Sequence, residues 1–119
     1  MNLVSTILIL FVAIEFLFIM YLETFITNSN KTSKIFSIPT YKLKERNINI
    51  LLKNQGVYNG LIGLLLVYGV LFSSNAKELC ILVLTFTIIV AIYGGITSKI
   101  SIFFKQGTLP ILALTSLLI

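Results

Sequence analysis

Apolar residues run almost unbroken from Leu3 to Phe25, interrupted only by Ser5, Thr6, Glu15, Glu23 and Thr24. At a rise of ~1.5 Å per residue a stretch of this length crosses a ~30 Å hydrocarbon core, which predicts a first membrane-spanning helix over 3–25. Gly56 to Phe72 is apolar apart from Asn59 and two tyrosines. It reaches the spanning length of about 20 residues only by taking in Asn54 and Gln55, so the second helix is expected over 53–73. Leu79 to Ser98 holds no charge and predicts a third helix over 79–98. Gly107 to Ile119 is shorter than the practical floor of about 17 residues, so the fourth helix must begin near Ile100, cover 100–119 and carry Lys105 into the membrane. The pattern predicts one all-α domain over 1–119, a polytopic bundle of four transmembrane helices. The first segment lacks a basic leader region and a small-residue cleavage site, so it is expected to be retained.

The connection over 27–52 is polar and basic. Thr27 to Ser33, rich in Thr, Asn and Ser, reads as a turn, and Pro39 followed by Thr40 is a helix-start signal. Ile48, Leu51, Leu52 and Gln55 recur at helical spacing, so the second helix is expected to extend below the membrane as an amphipathic lead-in.

Composition agrees with this reading. The 119 residues are 57% hydrophobic and 11% charged, with a mean hydropathy of +1.03. A soluble domain carries roughly 25% charged residues, so disorder, a nucleic-acid module and a water-soluble enzyme are poor descriptions. With no His and one Cys, the chain has no thiolate or imidazole set for a metal and no Ser-His-Asp triad, which favours a non-enzymatic role and implies no cofactor.

Charge placement sets orientation. Lys31, Lys34, Lys42, Lys44, Arg46 and Lys53 lie between the first two spans, Lys99 and Lys105 between the last two, and Lys77 alone on the other side. By the positive-inside rule both basic connections are cytoplasmic and both termini outside, in a multi-pass protein of the cell membrane. The basic loop is also suited to anionic headgroups, so membrane lipids are expected partners and nucleic acid is not.

Polar residues within the spans supply the candidate chemistry. Glu15 falls almost at the midplane, and Asn59, Tyr93 and Lys105 roughly 7 Å to its cytoplasmic side. Glu23, Asn54, Gln55 and Gln106 lie farther toward the same face. The outer half offers only hydroxyls such as Thr85, Thr115 and Ser116. A carboxylate at mid-membrane costs at least ~2.5 kcal/mol, so Glu15 should face a partner inside the bundle. Lys105 can meet it if the first and fourth helices are neighbours; otherwise Glu15 is neutral and bonds Asn59 or Tyr93. Gly56, Gly60 and Gly63 on the second helix and Gly94 on the third are close-packing positions. On the fourth, Gly107 and Pro110 free a backbone carbonyl and permit a kink.

The stretch from Ala13 to Phe25 with its two glutamates, Asn54-Gln55-Gly56-Val57-Tyr58-Asn59-Gly60, Tyr93-Gly94 and Gln106-Gly107-Thr108-Leu109-Pro110 together resemble the small bacterial integral-membrane family catalogued as domain of unknown function 1304. The resemblance implies a four-helix membrane protein without an established activity. Where that family often has His after the first glutamate, this chain has Phe16, so no Glu-His pair is available.

The expected function is binding or transport of a small polar solute or lipid headgroup in a cytoplasm-facing pocket of Glu15, Glu23, Asn54, Gln55, Asn59, Tyr93, Lys105 and Gln106. The ligand is unknown, and a homo-oligomer is compatible with the small-residue faces. Two alternatives stand beside it: a scaffold that recruits a partner through the basic loop, and an intramembrane enzyme on a lipid or isoprenoid with Glu15 or Glu23 as base.

Overall fold

A computed structural model describes residues 1–119, and its regular elements are all helical. Helix α1 (Leu3–Met20) runs on into a π-helical turn at Tyr21–Phe25. Two short helices follow, α2 (Asn30–Phe36) and α3 (Thr40–Leu43). Then come the long helices α4 (Arg46–Leu71), α5 (Ala76–Thr97) and α6 (Ile100–Leu118). Four segments are long and apolar enough to cross a membrane: Leu3–Phe25, Arg46–Leu71, Ala76–Thr97 and Ile100–Leu118. Large apolar side chains such as Phe11, Leu61, Leu82, Phe86 and Ile111 are exposed on them, which suits hydrocarbon as the surrounding solvent. The chain forms two compact units, Ile14–Gly63 and Met1–Ala13 with Leu64–Ile119.

In the Ile14–Gly63 unit, α4 approaches the end of α1 through its glycines. A Cβ at Gly56 would overlap Thr24 Oγ1 and lie 3.0 Å from Glu23 Cβ and 3.1 Å from the Thr24 amide nitrogen. At Gly60 it would overlap Met20 Sδ and lie 3.0 Å from Met20 Cγ. These contacts place Gly56 beside Thr24 and Gly60 beside Met20, an antiparallel register. Phe16, Ile19, Leu22 and Leu43 form the buried apolar part of the unit.

The turn expected over Thr27 to Ser33 is present at Thr27 and Asn28 but gives way to a helix from Asn30. Ser29 caps a helix there: its hydroxyl oxygen accepts from the Thr32 amide at 3.1 Å, so α2 starts at Asn30. The same small polar residues that favour turns also favour N-caps, and only the tertiary partners of Thr32 separate the two outcomes. The Thr32 hydroxyl is buried against the Leu22 and Ile26 carbonyls, each at 2.9 Å, which fixes α2 to the end of α1. Pro39 does mark a helix start, as the N-cap of α3. Glu45 opens α4, its two carboxylate oxygens accepting from the amides of Asn47 and Ile48 at 3.0 Å. These bonds, the one to Asn47 foremost, hold its carboxyl below the ordinary 4.5.

In the other unit α5 and α6 form an antiparallel pair across a short link at Ser98 and Lys99. A Cβ at Gly95 would stand 2.8 Å from Phe103 Cβ, and one at Gly107 would stand 3.4 Å from Ala91 Cβ. Gly94 meets Ile102 in the same way at 3.4 Å. Pro110 is buried inside α6, and having no N–H it leaves the Gln106 carbonyl without its helical donor. Ser116 donates to the Ala113 carbonyl at 2.6 Å, so Ser5, 2.8 Å away, donates to Ser116 and joins the start of α1 to α6.

Three outcomes follow for stability in detergent. Gly56→Ala meets backbone as well as side chain, so overpacking of about 1–3 kcal/mol outweighs the roughly 1 kcal/mol gained in helix propensity, and the thermal midpoint falls. Gly60→Ala meets Met20 from its sulfur back to Cβ, 3.1 Å away, so it also lowers the thermal midpoint, but by less than Gly56→Ala because no backbone atom stands in the way. The depressed carboxyl of Glu45 contributes stability that is present above its ordinary value of 4.5 and is lost as the pH falls through its lower folded value. A pH series of thermal midpoints should therefore decline less steeply at acid pH for Glu45→Gln than for the parent chain.

Candidate functional site

The π-helical turn at Tyr21–Phe25 puts Glu23 at its centre, and the turn is closed by the Ile26 amide donating to the Tyr21 carbonyl at 3.0 Å. A π turn inserts a residue, so every later side chain points ~100° away from where a uniform α-helix would aim it. Glu23 is 0% exposed. Gln55 Nε2 donates to Glu23 Oε2 at 2.8 Å, and Asn59 Nδ2 donates to Glu23 Oε1 at 2.7 Å. Gln55 and Asn59 are four residues apart on α4, hence on one face, and Gly56 between them lets that face come within reach of a carboxyl. Both donors are neutral amides. Each carboxyl oxygen accepts one of these bonds and has the capacity to accept another.

Lys53 stands at the same helix end with a different task. Its Nζ donates to the Thr24 carbonyl at 3.2 Å and to Thr27 Oγ1 at 3.0 Å, while Thr24 Oγ1 donates to the Lys53 carbonyl at 2.9 Å. Thr27 Oγ1 in turn donates to the Glu23 carbonyl at 2.6 Å. Carbonyls left over at the end of α1 are satisfied by a cation and a hydroxyl, where a positive charge also complements the helix dipole. Sequence reading assigned Lys53, Thr24 and Thr27 no such part. Threonines three apart at a helix end and a lysine at the foot of the next helix are the signal that was available.

Of the eight candidate binding residues, the structure joins Glu23, Gln55 and Asn59. Glu15 lies two turns back on α1, ~12 Å along its axis from Glu23, with a buried Oε1 that has no hydrogen-bond partner. The bond from Asn59 to Glu15, one of the alternatives to a Glu15–Lys105 contact, is not formed, because the register set by Gly56 and Gly60 gives the Asn59 amide to Glu23. Asn54 is exposed beside the site. Tyr93 on α5 is 69% exposed, and on α6 Lys105 is exposed and Gln106 half-buried. Gly63 and Gly107 are buried. No three His, Cys, Asp or Glu side chains gather as a metal-binding group.

A carboxyl buried between two spanning-length helices, with neutral donors and open acceptor capacity, can hold a group that donates hydrogen bonds or carries positive charge. Comparison with known proteins adds the family. No solved structure matches the chain. A protein of Lactococcus lactis subsp. lactis (strain IL1403), named "Uncharacterized protein YpaA", is 49% identical over 116 residues, covering 98% of this chain and 98% of its own length. The family model described as "Protein of unknown function (DUF1304)" matches residues 10–118, and the chain belongs to that family.

Proposed function

We propose that this protein is a multi-pass protein of the cell membrane that binds, and in binding carries, a small polar solute or a lipid headgroup at Glu23, reached from the face that the Lys and Arg asymmetry makes cytoplasmic. The reading is carried by one observation: Glu23, wholly buried in a π-helical turn, is held only by the side-chain amides of Gln55 and Asn59. Intramembrane carboxyl groups are costly and are retained mainly where they serve a site, and π turns concentrate at such places. The spare acceptor capacity favours a ligand that donates, such as an ammonium or hydroxyl group, over an anion. Gln55 is exposed, so its bond to Glu23 lies at the rim of the site. The competing reading is a scaffold, in which the same three side chains only fix the pairing of α1 with α4.

Glu23→Gln separates the two. It keeps the shape and, with the Gln55 amide turned over, both hydrogen bonds, but removes the ionisable carboxyl. Native mass spectrometry of the protein extracted with its lipids should show a bound small molecule or lipid on the parent chain. Retention should fall about tenfold or more in Glu23→Gln, the equivalent of ~1.4 kcal/mol. The same adducts at the same occupancy in both proteins would assign Glu23, Gln55 and Asn59 to packing.

A further inference from the structure

Outside the Glu23 site, a second feature of the Ile14–Gly63 unit points to a ligand. Residues 28–53 carry Lys31, Lys34, Lys42, Lys44, Arg46 and Lys53, all exposed, against Glu45 as the single acid. Both oxygens of Glu45 are taken by the amides that open α4. This positive charge is not on a loose loop. Thr32 fixes α2 to the Leu22 and Ile26 carbonyls, and Asn49 Nδ2 ties the foot of α4 to the Leu43 carbonyl at 2.9 Å and to Asn28 Oδ1 at 2.7 Å.

Lys31 stands against the first segment. Its Nζ lies 5.0 Å from the ring centroid of Phe18, a residue of the first membrane-length segment. Phe18 is ~10 Å inward of Phe25 along the helix axis. The Phe18 ring tilts beside that of Tyr21 with centroids 6.4 Å apart, and both are partly exposed, forming an aromatic ledge on the outer side of α1. An ammonium on a ring face retains its N–H donors for an anion, and Lys34, three residues on, shares the same side of α2. A cation that folds down along an apolar helix onto its exposed aromatic side chains faces lipid rather than a soluble acidic protein, and the anion that an ammonium snorkelling out of the apolar region meets is a headgroup phosphate.

We propose that Lys31 and Lys34, on the Phe18 and Tyr21 ledge, form a binding site for the phosphate of an anionic membrane phospholipid. The site is independent of the one at Glu23. Native mass spectrometry of delipidated protein in detergent, given equal amounts of phosphatidylglycerol and phosphatidylcholine, tests it. The parent chain should retain phosphatidylglycerol several-fold over phosphatidylcholine. A Lys31→Gln, Lys34→Gln double variant should retain the two alike, a Lys31→Arg, Lys34→Arg variant should keep the preference, and Lys77→Gln should leave it unchanged. Equal retention by the parent chain, or an undiminished preference in the glutamine double variant, overturns the proposal. Displacement of the phosphatidylglycerol by an equal concentration of inorganic phosphate would overturn its assignment to a lipid.

Discussion

A carboxyl group sealed away from water has to find its donors within the chain, and Glu23 finds them on α4. That need dictates how closely α4 must approach, and the approach in turn depends on a missing side chain at Gly56, since any Cβ there would strike Thr24. The same closeness brings Lys53 to the carbonyls at the end of α1. Register, capping and the polar site therefore have one cause. Lipid tails supply no hydrophobic drive for helices to associate, so contacts of this kind, small residues and interhelical hydrogen bonds, carry more of the specificity than they would in a soluble core.

The two glutamates of α1 show how strongly environment separates chemically equal groups. Glu15 has a buried oxygen with no donor, whereas Glu23 has a donor for each oxygen. They differ in what α4 presents: Gln55 and Asn59 flank Gly56 and Gly60, so amides and close approach occur at the same level of the helix. Glu23 therefore has a built polar setting and Glu15 has none, and the donors placed opposite a carboxyl distinguish the two where depth in the membrane does not.

Hydropathy made the long helices legible, because the length of an apolar run is read directly against the thickness of hydrocarbon. Gly56, Gly60, Gln55, Asn59 and Glu23 were each legible as candidates too. Their grouping was not. It depends on the register between α1 and α4, a property of two helices together, and on the π turn that redirects side chains after Met20 and leaves no mark in composition. The start of α2 was hidden for a different reason: Thr, Asn and Ser serve turns and caps equally, and the decision is made by carbonyls at Leu22 and Ile26 that Thr32 meets only in the folded chain.

The paired bonds between Lys53 and Thr24 bear on cooperativity. A helix end usually frays by itself, as a local opening that costs little and involves no other element. Here the last carbonyls of the first segment are held by the side chain of another helix, whose own carbonyl accepts the Thr24 hydroxyl in return. Releasing one end therefore releases its neighbour's hold as well, and the region behaves as a single unit of opening rather than as two independent termini.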